Sequence, residues 1–465
     1  MMPPKPEPRP DRVSLWRYMR LFRKDILSAQ PARLYGAWMA AFRTPFFRSF
    51  LVNDPTLLDL VLKDRPADFP KSDRIGEGLR PLLGDSVFLT NGAQWERQRR
   101  IIDPAFEGGR LRETWPGMTQ AAAAAVDRMA RHAGGPAIDV EAETSHAAAD
   151  VIFRTLFSIP IEDALAQEVF HAFRTYQRSQ PILNAAAFVP LPRWMPRGFR
   201  RDTRASAKTI RRLIRQLTET RLQAIADGVA PDDLATKIMT TPDPQTGQTF
   251  SLDEMVDQVA IFFLAGHETS ASALGWALYL LATHPDWQAR VHQEAIAVPG
   301  HGFGSLRHMP VARDVFREAL RLYPPVPMMV RETVRDERFR NRAVPKGAQI
   351  VLSPWHLHRH TRFWENPDGF DPARWQTAAG KASARSAFLP FSAGPRVCSG
   401  AGFAMAEGTV LLSRLVQAFA FSADPARVPV PQAQLTVRAK DGILLSLQHR
   451  DAHGATFSAN GSQNV

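Results

Sequence analysis

The chain has 465 residues, of which 45% are hydrophobic and 22% charged; this is ordinary for a globular protein and excludes a largely disordered one. Lys and Arg number 58 against 46 Asp and Glu, so the net charge is +12, which suits an acidic partner or surface without naming one. There is one cysteine, Cys398, which excludes an internal disulfide and any multi-cysteine zinc or iron–sulfur site and leaves it as either an inert core residue or the centre of the chemistry.

The first residues, MMPPKPEPRPDR, are Pro-rich and charged, with no apolar stretch of the signal-peptide kind, and residues 1–30 read as a polar and amphipathic lead-in. From Phe50, the segment SFLVNDPTLLDLVLKDRP predicts a short strand, an Asn/Asp turn and a helix. Residues 67–92 hold Pro, Gly and Asp at intervals and predict a long irregular loop. Helical patterns run from Trp95 to about Ala226. Within them Arg193–Arg221 is basic and interleaved with Trp194, Met195, Pro196 and Phe199, a solvated helix face or an interfacial patch. Residues 231–250 predict a polar loop.

Val259–Ala282 is the most apolar long stretch, but Glu268 near its middle would be costly at bilayer depth, so the pattern predicts a long buried helix. A helix over 310–322 should stop at Tyr323-Pro324-Pro325, because proline cannot continue it. Residues 326–353 have strand character around the turn Pro345-Lys346-Gly347, and 361–390 predict a long loop. A helix follows Cys398, LTVRAKDGILLSL predicts a hairpin turning at Asp441-Gly442, and the last dozen residues are polar. Helices in the middle and strands at the two ends predict a mainly α fold with small β-sheets: a single catalytic domain over 31–450 and a polar tail over 451–465.

Cys398 lies in Phe391-Ser392-Ala393-Gly394-Pro395-Arg396-Val397-Cys398-Ser399-Gly400. Such a loop delivers a sulfur to a helix N-terminus, where backbone N–H groups and the helix dipole favour the thiolate. Gly394 permits a tight turn and close approach of a flat ligand. A thiolate held this way is a metal ligand or a nucleophile, and no His stands near in sequence to serve as its base. The segment matches F-x-x-G-x-R-x-C-x-G and resembles the haem-binding loop of the cytochrome P-450 (haem-thiolate monooxygenase) superfamily. The resemblance implies haem b with Cys398 as axial thiolate, and a fold in which a long central helix crosses the haem opposite a proximal Cys loop.

Other segments agree, in the family's order, from about Phe50 to Leu447. Glu318 and Arg321 form E-x-x-R, and Arg374 lies in FDPARW; the resemblance makes these three a structural fastener. Ala265-Gly266-His267-Glu268-Thr269 resembles A-G-x-[ED]-T. Ala265 and Thr269 share a helix face, Gly266 is expected to let that face approach a macrocycle, and Glu268 and Thr269 are the implied catalytic acid and alcohol. Thr269 bonding back to the carbonyl of residue 265 is compatible with this role, and His267 reads as structural. The resemblance carries haem-propionate binding to Trp95, Arg99, Arg331 and Arg396, and haem contact to Phe391, Gly394, Ala265, Gly266 and Gly400. It also carries pocket walls to Val87, Phe88, Ile261, Phe262, Met328 and Met329, whose apolar character suits a small lipophilic substrate.

The implied reaction is monooxygenation with O2 and two electrons from NAD(P)H, through an acidic ferredoxin or flavodoxin docking near Arg99, Arg100 and Arg396. The resemblance is to soluble bacterial members, cytoplasmic and monomeric, with no nucleic-acid partner and at most weak peripheral membrane contact. Three alternatives stand beside it: a peroxide-driven haem-thiolate enzyme, a non-catalytic haem sensor or carrier, and a zinc site at His356, His358 and His360, which would share one face of a strand.

Overall fold

The computed structural model describes the chain except residues 1, 44–46, 108, 180–200, 301, 434 and 451–465. The interleaved residues Trp194, Met195, Pro196 and Phe199, and the polar tail, therefore lie outside the described residues.

The long apolar stretch becomes a helix of 31 residues, Leu252–Ala282, referred to below as the central helix. A reciprocal capping box starts it: Ser251 Oγ accepts from the Glu254 N–H at 3.3 Å, and the Glu254 carboxylate accepts from the Ser251 N–H at 2.9 Å. Because it is apolar nearly all round, it is packed by helices along most of its length. Val140–Leu156, Arg201–Ala226, Pro310–Leu322 and Ala401–Ala418 all pack against it. Pro310–Leu322 ends as expected at Tyr323, whose ring stacks on Trp276 of the central helix at 3.9 Å. Ala401–Ala418, the cysteine helix, begins three residues after Cys398.

A four-stranded sheet flanks this bundle in the order Met39–Arg43, Arg48–Val52, Gln349–Leu352, Met329–Glu332. The central pair is parallel, with Val52 opposite Leu352, and the outer pairs are antiparallel, with Arg331 opposite Ile350. Across the free side of Met329–Glu332, Lys71 forms an isolated bridge with Arg331, which brings the 67–92 segment against the sheet.

Several expectations need correction. The 67–92 segment contains short helical turns at Asp73–Gly76 and Arg80–Leu83. The 231–250 loop contains the helix Leu234–Thr240, capped by the Asp233 carboxylate, and the 361–390 loop contains Ala378–Ala387. The C-terminal hairpin does not form as read. Val437–Ala439 pairs back on Pro431–Ala433, whereas Leu444–His449 joins Phe419–Ala423 and Ile138–Asp139 in another sheet. Asp441-Gly442 thus turns the chain between two sheets. A local turn signal identifies the bend but not the partner beyond it.

His356, His358 and His360 do not alternate on a strand, because Pro354–Leu357 is a helical turn. Each imidazole has its own partner: Ser353 Oγ at 2.8 Å for His356, the Leu389 N–H at 2.7 Å for His358, and the Ala37 carbonyl at 3.4 Å for His360. Among the described residues no group of His, Cys, Asp and Glu is arranged to hold a metal ion.

Candidate haem-thiolate site

The cysteine loop is held by its own backbone. The Cys398 N–H donates to the Phe391 carbonyl at 2.9 Å, and the Val397 carbonyl accepts from Arg99 Nη1 at 2.7 Å. Asp103 accepts from Arg99 Nε at 2.8 Å and from Ser399 Oγ at 2.8 Å, which clamps both sides of the sulfur to the helix Gly92–Ile102. Gly394 has φ +66°, and a Cβ there would stand 1.9 Å from the Leu62 carbonyl oxygen. It is therefore the backbone of residues 62–63, together with the tight turn, that demands glycine. Burial pushes the Cys398 thiol up, against the Gly400 N–H and Arg99, which pull it down. Burial alone thus favours the thiol, and ligation to a metal would remove its proton outright.

Openings lie in the interior beside this loop. Ala265 is exposed in the middle of a helix whose neighbours Leu264, His267 and Glu268 are buried, and Cys398 is exposed although protein surrounds it. The central helix, which bears Ala265, and the cysteine helix pack together, and Ser270 Oγ donates to the Glu407 carboxylate between them at 2.6 Å. A slot in this position suits a flat ligand. Gly266 does not line it: a Cβ there would strike Ile152 Cδ1 at 2.4 Å, so this glycine serves packing on Val140–Leu156. Helical spacing alone could not tell which neighbour required the small residue.

One side of the site is strongly cationic. Arg396, Lys71 and Arg99 surround the Trp95 ring, with their charged groups 5.1, 5.7 and 5.9 Å from its centroid. Burial, then repulsion by Arg396, Arg331 and Arg99, lowers Lys71 to about 6. Arg331 is likewise lowered to about 10 by burial and Arg396. Arg331 Nε and Arg396 Nε are buried without hydrogen-bond partners among the described residues. Buried like charges are expensive unless an anion joins them, and the two propionates of haem are such anions. The residues present therefore fit the group: a sulfur, an interior slot, and orphaned guanidinium N–H groups. Lys71 was absent from the sequence reading. Its partners lie on four separate segments, and no local pattern distinguishes it from a solvated lysine.

The expected fastener is present. Glu318 Oε1 accepts from Arg321 Nη2 at 2.8 Å, Arg374 Nε at 2.9 Å and the Asp371 N–H at 3.1 Å, and Oε2 accepts from Arg321 Nε at 3.0 Å. The two arginines also bind the carbonyls of His358, Pro367 and Glu365, so the meander of residues 358–374 is pinned to Pro310–Leu322.

On the central helix, Thr269 Oγ1 donates to the Ala265 carbonyl at 2.5 Å. Its proton is thus committed, and its oxygen is left to accept. Glu268 points elsewhere, to Thr436 Oγ1 at 2.8 Å. His267 is structural, as expected: it lies 2.7 Å from Ser145 Oγ, packs edge-on to Phe170, and burial lowers it to about 3. Of the expected walls, Ile261 lies one turn before Ala265, Phe262 packs against Phe106 with centroids 5.9 Å apart, and Phe88 is exposed. Val87 receives Lys71 Nζ on its carbonyl at 2.6 Å, and Met328 and Met329 are half-buried at the start of the strand bearing Arg331. Arg100, read as part of a docking surface, is instead paired with buried Asp243 at 2.6 Å, and Arg99 and Arg396 are engaged within the site.

This combination, a cysteine loop facing a slot on a long central helix with a cationic side, defines a haem-thiolate protein. Comparison with known proteins places it: residues 31–446 match the cytochrome P-450 family, and the chain belongs to that family. It is 32% identical over 377 residues to cyclooctat-9-en-7-ol 5-monooxygenase of Streptomyces melanosporofaciens, covering 79% of each chain. It is 30% identical over 421 residues to cytochrome P-450 4A10 of Mus musculus, covering 85% of this chain and 80% of that one. Its fold matches the crystal structure of the cytochrome P-450DA haem domain with a TM-score of 0.79 at 24% identity, over 97% of this chain and 98% of that one. The protein is thus a monooxygenase-class oxidoreductase whose cofactor is haem with cysteine thiolate ligation. Among the described residues no helix is long and apolar enough to cross a membrane.

Proposed function

We propose that the protein inserts one oxygen atom from O2 into a small lipophilic substrate, by hydroxylation or epoxidation. The two electrons come from NAD(P)H through a separate acidic ferredoxin or flavodoxin. In this reading it acts as a monomer in a bacterial cytoplasm. The observation that carries the reading is Cys398, an accessible sulfur on a loop pinned by Phe391 and Arg99 beside the cationic cluster of Lys71, Arg331 and Arg396. Relatives named cyclooctat-9-en-7-ol 5-monooxygenase and taurochenodeoxycholic 6 alpha-hydroxylase support an oxygen-inserting reaction. The apolar side chains of Ile261, Phe262, Met328 and Met329 support a lipophilic substrate.

When bound, the haem supplies O2 activation, with electron push from the Cys398 sulfur. The protein's own part is to hold and to move protons. Phe391 and Arg99 fix the loop around the sulfur, and Lys71, Trp95, Arg331 and Arg396 hold the propionates. Thr269, its proton given to the Ala265 carbonyl, accepts from a water in the slot and orients it. Glu268 is the proton source behind it. Glu318, Arg321 and Arg374 keep the loop's underside rigid and touch no reacting atom.

The test is spectroscopic. Reduced protein under carbon monoxide should show the red-shifted Soret band of thiolate ligation, and Cys398→Ser should lose it; a variant that keeps the band would refute the assignment. Because the three arginines first read as a docking patch are engaged, the acidic-donor reading rests on the net charge of +12. Electron transfer should slow as salt rises, since such steering is screened beyond about 8–10 Å at physiological ionic strength. A rate independent of salt would remove the acidic donor.

A further inference from the structure

Thr436 and Arg438 lie 168 and 170 residues from Glu268 in sequence, yet they stand against its carboxylate. They belong to the short hairpin of Pro431–Ala433 and Val437–Ala439. Thr436 is buried and donates to Glu268 Oε1 at 2.8 Å. Arg438 Nε lies 3.6 Å from the same oxygen. The other carboxylate oxygen, Oε2, is buried with no hydrogen-bond partner among the described residues, and so are Arg438 Nε and Nη2. The Arg438 side chain as a whole is 33% exposed, against 6% for Glu268, so it joins the buried acid to solvent-accessible space.

Buried polar atoms are normally satisfied, and a carboxylate beside an arginine normally closes into a direct pair. Here the two form an ion pair at 3.6 Å without a hydrogen bond, on a hairpin whose backbone is anchored. The Val437 carbonyl accepts from Ser272 Oγ and from Trp276 Nε1 at 3.3 Å, both on the central helix. The Val437 N–H donates to the Pro325 carbonyl at 3.0 Å, and the Ala439 N–H donates to Glu141 Oε1 at 3.0 Å. The backbone of Arg438 is therefore fixed on both sides. Buried acceptor and donor atoms left unpaired side by side, Glu268 Oε2 and Arg438 Nη2, call for a bridging water.

We propose that the hairpin is part of the proton route: Thr436 and Arg438 are positioning residues that hold the Glu268 carboxylate, and Arg438 connects it through bridging water to the surface. This rests on the reading of Glu268 as proton source. Glu141 and His267 are the other titratable groups near Arg438. Glu141 accepts from the Ala439 N–H and His267 is bonded to Ser145, so neither needs Arg438 as its hydrogen-bond partner.

The test uses four haem-loaded proteins: the native chain, Glu268→Gln, Arg438→Gln and the double variant. In thermal unfolding, Arg438→Gln should lower the midpoint of the native chain by several degrees, because it strands a buried carboxylate. It should leave the midpoint of Glu268→Gln unchanged. A plant-type ferredoxin with its reductase then supplies electrons, and NADPH oxidation is followed in H2O and D2O. Each single variant should oxidise NADPH severalfold more slowly, with a larger solvent isotope effect than the native chain. The double variant should be no slower than the slower single, and Arg438→Lys should restore part of the rate. Additive losses in the double variant would overturn the proposal. If Glu268→Gln leaves oxidation unchanged while the thermal coupling persists, the reading of Glu268 fails and the hairpin is only a structural contact. If Arg438→Gln does not fold, Thr436→Val takes its place in the same cycle, with the same outcomes.

Discussion

Glu318 and Glu268 are both buried carboxylates on helices of the core, and they are treated in opposite ways. Glu318 receives four hydrogen bonds, from two arginines and a backbone N–H, and both its oxygens are used. Glu268 receives one, from a threonine, with an arginine paired to it at 3.6 Å without a hydrogen bond and one oxygen unused. A carboxylate saturated by charged donors cannot change partners without a large penalty, which makes it a fastener. A half-satisfied carboxylate can rotate and exchange a proton cheaply, which is what a relay needs. Glu407 is a third kind: fully buried, with Ser270 donating to one oxygen and burial raising it to about 8, it holds its proton at neutral pH.

The largest effect should come from breaking the saturated site. Glu318→Ala leaves two buried guanidinium groups without their anion, at about 3–5 kcal/mol. The expected outcome is loss of folded, haem-containing protein, scored by far-UV circular dichroism and the Soret band. A folded, haem-loaded variant would show that the arginine–carbonyl bonds alone hold the meander.

Glu407→Gln should sharpen the comparison through pH. A carboxyl that ionises near 4.3 when unfolded but holds its proton to about 8 when folded binds more protons in the native state. Its contribution to stability is therefore lost as pH rises across that window. Glutamine cannot ionise, so unfolding in urea at pH 5 and pH 8 should show a shallower decline for the variant. Equal declines in the two proteins would mean that Glu407 is charged in the fold.

The smallest effect on the molecule, and none on its stability, is expected at Thr269. Thr269→Ala should retain haem and the substrate-induced spin-state shift, because neither needs the hydroxyl. Peroxide released per NAD(P)H, measured with a substrate found by that shift, should rise severalfold. Unchanged coupling would mean that the water in the slot is oriented by another group.

The chain itself determined whatever depends on spacing within one element or one loop. The ten residues around Cys398, the i, i+3 pair Glu318–Arg321 and the i, i+4 pair Ala265–Thr269 were legible because helix and turn geometry fixes their relation before any packing occurs. Tertiary structure decided whatever depends on which faces meet. It turned Gly266 toward Ile152, and Gly394 against the Leu62 carbonyl. It sent Val437–Ala439 and Leu444–His449 to different sheets across a turn that read as one hairpin. It gathered Lys71 into the cationic cluster and brought Thr436 and Arg438 to Glu268. None of these has a local signature, because the energy that selects them is the burial of apolar faces between distant segments, and polar side chains find their partners only after those faces have closed.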